Sequence, residues 1–162
     1  MNILYTAFNG KTNSSKILLD YIKTDNCNKL YLRNSFTTSV KQLNSKIKNN
    51  NYDLIVSFGQ APLDKDTIKI ETTGKNNDFY KTNYDYNYLK NRLEDKYLED
   101  KYNVIISNDA GNYLCNNIYY NGLKYIKENN LKTKMIFIHI PKIDNISFIN
   151  ELADTLGGEL DV

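Results

Sequence analysis

The apolar positions along the chain fall into short continuous runs that alternate with segments of helical spacing. Residues 2–8, NILYTAF, form a run that predicts a buried strand. Residues 14–23, SSKILLDYIK, then place Ile17, Leu18, Tyr21 and Ile22 near helical spacing, so the chain opens strand, turn, helix. NKLYL (28–32) predicts a second short strand, and SFTTSVKQLNSKIKNN (35–50) a helix with Val40, Leu43 and Ile47 on one face and a Ser or Thr cap at its start. YDLIVSFG (52–59) reads as an apolar strand ending at Gly59, and TIKIET (67–72) as a further strand. Helical spacing returns in residues 82–100 through Tyr86, Leu89, Leu93 and Tyr97. YNVIIS (102–107) predicts a strand, and SNDAGNYLCNNIYYNGL (107–123) a small-residue turn leading into a helix. KMIFIHIP (134–141) is a last strand stopped by Pro141, and NISFINELADTLG (145–157) a final helix ended by Gly157.

Strands alternating with helices, several of the strands apolar on both faces, predict an α/β sandwich around a largely parallel sheet. With 162 residues, no internal repeat and no linker, a single domain over 1–162 is expected. The Asn- and Lys-rich stretches fall where loops are expected. Charge excludes little and suggests less: 21 basic against 19 acidic residues leave +2, no basis for nucleic acid or an anionic membrane as a partner. The first ten residues lack a signal-peptide pattern and no apolar run approaches a membrane span, so a cytoplasmic protein is expected. Cys27 and Cys115 are too few for a disulfide framework and lie in no zinc-binding spacing, so both are expected as thiols, with no metal or organic cofactor.

Ligands of open α/β sheets collect beyond the carboxyl ends of the strands. Residues 107–111, His139, Gly59 with Gln60, and Phe8 all close predicted strands. Cys115 lies near the start of its helix, where unpaired N–H groups favour a thiolate and can hold an oxyanion. Against that, free Cys is often simply buried, and Ile118, Gly122 and Ile126 share its side of the helix. His139, the only histidine, is the only imidazole a cysteine nucleophile could use, although a lone strand histidine is more often a bonded core residue. An acid to fix its tautomer has three candidates, Glu71, Asp78 and Asp109.

The stretch from Ser107 to Leu123 resembles the cysteine motif of the pyroglutamyl peptidase I (pyrrolidone-carboxylate peptidase) family, S-x-x-A-G-x-[FY]-[VL]-C-N followed by a tyrosine and a leucine. FIHIP (137–141) resembles that family's histidine motif, and the 24 positions from Cys115 to His139 fit its spacing. MNILYTAF, NSS (13–15), LRNSFTTSVKQL (32–43) and FGQA (58–61) follow in the family's order, so the resemblance runs along nearly the whole chain. It implies a three-layer α/β/α sandwich of the phosphorylase/hydrolase-like type with a mixed, largely parallel sheet. It further implies a cysteine-type omega peptidase that removes N-terminal pyroglutamate through a Cys115 acyl-enzyme, with His139 as base and then acid. ETTGKN (71–76) matches the ends of the family's E-R-x-A-x-N motif and makes Glu71 the third residue. By the same resemblance Phe8, Gln60, Asn13 and Leu114 are substrate-binding candidates; core packing for Phe8 and turn bonding for Gln60 and Asn13 are the plainer alternatives. The implied partners are peptides with N-terminal pyroglutamate and, as the family forms tetramers, further copies of the chain in a tetramer or dimer.

The departures bear on specificity. Thr72 stands for the motif's arginine and Gly74 for its alanine. The second pocket aromatic after Phe8 is absent, and NDFYKTNYDY (77–86) replaces a longer loop that carries an arginine. Asp109 stands where the family often has threonine, where its charge would oppose a thiolate by like-charge repulsion. The alternative for Asp109 is that it caps the helix and points away. These changes leave open a cysteine hydrolase of another small amide, or a non-catalytic binding protein of the same fold. A redox role has no support, since nothing places Cys27, in TDNCNK, beside Cys115.

Overall fold

The computed structural model describes residues 1–95, 102–158 and 160. Thirteen elements follow one another: β1 (Ile3–Phe8), α1 (Ser14–Tyr21), β2 (Lys29–Leu32), α2 (Phe36–Lys48), β3 (Leu54–Gln60), β4 (Thr67–Glu71), β5 (Thr73–Lys75), β6 (Phe79–Lys81), α3 (Asn87–Leu93), β7 (Asn103–Ser107), α4 (Leu114–Glu128), β8 (Lys134–Ile140) and α5 (Ile149–Gly157). The main sheet has the order β2-β1-β3-β8-β4-β7, and β5 and β6 form a small separate hairpin. Strands β2, β1, β3 and β8 are mutually parallel. β4 runs antiparallel to β8 and parallel to β7, so the two strands at that edge are reversed relative to the other four.

Strand alternation sends side chains to two separate cores. Tyr5, Ala7, Val56, Phe58, Ile68, Ile70, Ile136 and Ile138 pack with α1, α3 and α5 through Leu18, Leu19, Leu89, Leu93, Leu152 and Leu156. Leu4, Phe8, Ile55, Met135 and Phe137 pack on the opposite face with α2 and α4 through Leu43, Ile47, Ile118 and Leu123. Burying each such aliphatic or aromatic side chain contributes roughly 1.5–3 kcal/mol, which is what holds helices on both faces of a sheet that is apolar on both. This is the expected α/β/α sandwich with a mixed, mostly parallel sheet.

Local chemistry sets the helix starts. Asn13 caps α1, its Oδ1 accepting the Ser15 N–H at 3.0 Å, and Ser35 caps α2, its Oγ accepting from the Thr38 N–H at 3.1 Å. Helix α3 is shorter than the periodicity predicts. Residues 82–84 are instead drawn onto the part of β8 that β4 leaves uncovered: Thr82 Oγ1 donates to the Met135 carbonyl, Met135 N donates to Asn83 Oδ1 at 3.1 Å, and Asn83 Nδ2 donates to the Thr133 carbonyl at 3.0 Å. Tyr97, placed by the same periodicity, lies outside the described residues. The final helix begins at Ile149 rather than near 145, behind a 3-10 turn over Ile143–Asn145.

The β5–β6 hairpin was not apparent from the apolar pattern. Asn116 of α4 holds it, accepting from Lys75 N at 2.9 Å and donating to the Lys75 carbonyl at 2.7 Å. A Cβ at Gly74 would lie 2.6 Å from the Tyr120 backbone, so glycine is what lets the hairpin lie directly on α4. No helix among the described residues is long and apolar enough to cross a membrane.

Candidate active site

Cys115 is the second residue of α4, whose start lies over the carboxyl ends of β3 and β8. The side chain comes close enough to β3 that a Cβ at Gly59 would meet Sγ at 2.6 Å and the Phe137 ring at 2.8 Å, so only glycine fits there. Gly59 is in turn level with His139 on the neighbouring strand β8. The three residues therefore share one spot on the α2/α4 face of the sheet.

The reversed strand β4 completes the arrangement. Alternation turns Ile68 and Ile70 into one core and Lys69 and Glu71 toward the face of His139. Lys69 is directly opposite His139, and Glu71 is the diagonal neighbour, with its Oε1 at 2.9 Å from His139 Nδ1. Glu71 is fully buried and His139 is 6% exposed. A carboxylate only accepts, so a hydrogen bond at that distance carries its proton on Nδ1 and leaves Nε2 as the ring nitrogen that can act as a base. Tyr119, one turn after Cys115, donates its hydroxyl to the Glu71 carbonyl at 2.7 Å, so the helix that carries the thiol also fixes the end of the strand that carries the acid. Glu71 Oε2 is buried without a partner among the described residues.

The loop into α4 departs from the expectation that residues 107–111 simply overhang a carboxyl end shared with β8. Because β7 is reversed, Ser107 is level with Glu71, which is opposite Phe137, and the chain must turn back to bring Cys115 up to Gly59. Asp109 makes that turn: its Oδ1 accepts the Gly111 N–H at 3.0 Å, its own N–H donates to Ser107 Oγ at 3.1 Å, and Gly111 takes a positive φ of 88°. No side chain caps α4 at Tyr113. The N–H groups of its first turn are thus left to whatever enters the adjoining cavity.

That cavity has a volume of about 420 Å³ and is lined by Cys115, His139, Glu71, Lys69, Gln60 and the loop from Asp109 to Tyr113. A larger one, about 870 Å³, lies against the hairpin between Phe79, Tyr86 and Ser107, but it contains neither the thiol nor the imidazole. The Cys115 thiol is held neutral: burial, with the Glu71 charge adding to it, pushes its pKa up to about 12. The thiolate expected from the helix start is therefore not the resting form, because desolvation at this half-buried position outweighs the helix terminus.

The remaining sequence candidates are distributed as follows. Gln60 lines the cavity, yet its Oε1 already accepts the Ser14 N–H at 2.9 Å. Asn13 caps α1, also accepting the Ser15 hydroxyl at 2.6 Å, and lies outside the cavity wall. Phe8 and Leu114 pack in the core beneath α2 and α4, likewise off the wall. Asp78 is on the hairpin, where Tyr120 donates to it, and makes no contact with His139. Two site residues escaped the sequence reading, Lys69 and Tyr119. Strict alternation through Ile68 and Ile70 places Lys69 with Glu71, and helical spacing places Tyr119 four residues after Cys115.

Comparison with known proteins gives a consistent picture. The family model described as pyroglutamyl peptidase matches residues 84–155, a span that includes Cys115 and His139. A pyrrolidone-carboxylate peptidase of Brachyspira hyodysenteriae is 33% identical over 71% of this chain and 66% of its own length. Pyrrolidone-carboxylate peptidase 1 of Caldanaerobacter subterraneus subsp. tengcongensis is 30% identical over 87% of this chain and 82% of its own. Among solved structures, Bacillus amyloliquefaciens pyroglutamyl peptidase I superimposes with a TM-score of 0.80 at 16% identity, covering 96% of this chain and 92% of that one. An E192V mutant of the pyrrolidone carboxyl peptidase of Pyrococcus furiosus gives 0.78 at 18% identity, covering 96% and 94%. At those identities the structural likeness shows the fold.

Proposed function

The chain belongs to the pyroglutamyl peptidase family, and from that premise we propose that it is a cysteine peptidase cleaving the amide bond after an N-terminal pyroglutamyl residue through a Cys115 acyl-enzyme. The observation that carries this reading is the His139 imidazole, fixed through Nδ1 by the buried Glu71 carboxylate in the same cavity as the Cys115 thiol.

In the proposed sequence His139 Nε2 takes the proton from Sγ as Sγ attacks the pyroglutamyl carbonyl carbon. Proton transfer and attack proceed together, since a thiol with a pKa near 12 is not ionised beforehand. N–H groups at the uncapped start of α4 receive the developing oxyanion. His139 Nε2–H then protonates the departing amine, the C–N bond breaks, and a thioester to Cys115 remains. Water attacks the thioester, giving its proton to Nε2, and pyroglutamate leaves as the proton returns to sulfur. Throughout, Nδ1–H keeps donating to the Glu71 carboxylate, which stabilises the imidazolium formed in each half-reaction. The lactam is uncharged, so selection over an ordinary N-terminus comes from the cost of leaving an ammonium desolvated in the pocket.

The test is release of a fluorogenic amine from its pyroglutamyl amide. Release by the wild type that is abolished in both Cys115→Ala and His139→Ala supports the reading. A folded wild type that releases no amine, or release that survives Cys115→Ala, overturns it and directs attention to other small amides or to a binding role.

A further inference from the structure

Lys69 is the one cationic side chain on the wall of the cavity that holds Cys115, among the described residues. It is half-buried, and among those residues its ammonium has neither an ion pair nor a hydrogen bond. Neither carboxylate on the same wall pairs with it: Glu71 bonds His139 through Oε1, and Asp109 Oδ1 accepts the Gly111 N–H. Directly opposed residues of an antiparallel pair have Cβ atoms about 4.5–5.5 Å apart, so the lysine's flexible stem starts beside the imidazole. An unpaired ammonium on the cavity wall is free to form a charge-assisted hydrogen bond with an incoming carboxylate.

We propose that Lys69 is a specificity-determining residue that pairs with a carboxylate on the leaving side of the substrate. The inference rests on the peptidase reading, which fixes the side: a pyroglutamyl group in amide linkage has no carboxylate of its own. The anion therefore belongs to the departing residue, as an acidic side chain or as the free α-carboxylate of a dipeptide. Asp109 faces the same space with like charge, which makes the preference for an anion one that depends on Lys69.

Two measurements test it. The first alkylates Cys115 in a Cys27→Ser chain with anionic iodoacetate and with neutral iodoacetamide and compares the rates. The iodoacetate-to-iodoacetamide ratio falls about three- to tenfold in Lys69→Met, the range of a partly exposed ion pair, and is retained in Lys69→Arg. A ratio unchanged in Lys69→Met overturns the proposal. This arm requires no hydrolysis, so it decides the role of Lys69 even where the peptidase reading fails. The second compares kcat/KM for pyroglutamyl-glutamate amide with pyroglutamyl-glutamine amide, and for pyroglutamyl-alanine with its amide. A Lys69-dependent preference in the first pair assigns the side-chain carboxylate, and one in the second assigns the α-carboxylate. Turnover of all four without any such preference overturns the proposal.

Discussion

The four parallel strands and the two reversed ones contribute differently to the site. The parallel half supplies the frame: β3 brings Gly59 under the thiol, and β8 presents His139. The reversed half supplies the polar groups that tune it, Glu71 and Lys69 from β4, along with the returning loop after β7. The seam between them is short, pairing only residues 69–71 with 137–139 before residues 82–84 take over the edge of β8. The imidazole and its acid thus come from strands that run in opposite directions, and their alignment depends on that seam and on the Tyr119 clamp. A stable frame does not by itself make the site; the register of one three-residue ladder does.

Changing one oxygen of the acid separates the two halves most sharply. Glu71→Gln keeps the volume but supplies an amide that favours the wrong tautomer, so pyroglutamyl amide hydrolysis falls about 10²- to 10⁴-fold, with circular dichroism unchanged. The pH dependence of the thiol comes next. With its pKa raised to about 12, Cys115 is protonated throughout the neutral range and its thiolate fraction climbs with pH. Its alkylation rate therefore rises about tenfold per pH unit between roughly pH 7 and pH 10 without levelling off, as read by site-resolved mass spectrometry. In the parallel frame, Gly59→Ala drives a methyl group into Sγ and Phe137 and costs about 1–3 kcal/mol in denaturant unfolding. The smallest effect belongs to the far end of the seam: Asn83→Ala removes two bonds to the β8 edge and costs about 1–2 kcal/mol, with a further loss of hydrolysis only if the register of β4 shifts with it.

The same division explains what the sequence reveals. Continuous apolar runs such as residues 54–56 and 135–138 announce strands buried on both faces, and Asn13 and Ser35 mark helix starts by their chemistry. Periodicity carries no direction, however, so the reversal of β4 and β7 was invisible, and with it the return path of the loop that ends at Cys115. The β5–β6 hairpin escaped because its strands are three residues long, β6 is largely exposed, and Asn116 rather than an apolar face of the hairpin holds it. The raised thiol pKa was likewise out of reach, since position near a helix start says nothing of how deeply the sulfur is desolvated.

His139 is the only histidine, so its ring nitrogens give a single assignable set of NMR signals. The most direct measurement is nitrogen-15 NMR of that imidazole in the wild-type chain at pH 8. The expected result is a proton on Nδ1, hydrogen-bonded to Glu71 and far downfield. A ring protonated at Nε2 instead would mean that Nδ1 does not donate to Glu71, and would contradict the catalytic arrangement proposed for this site.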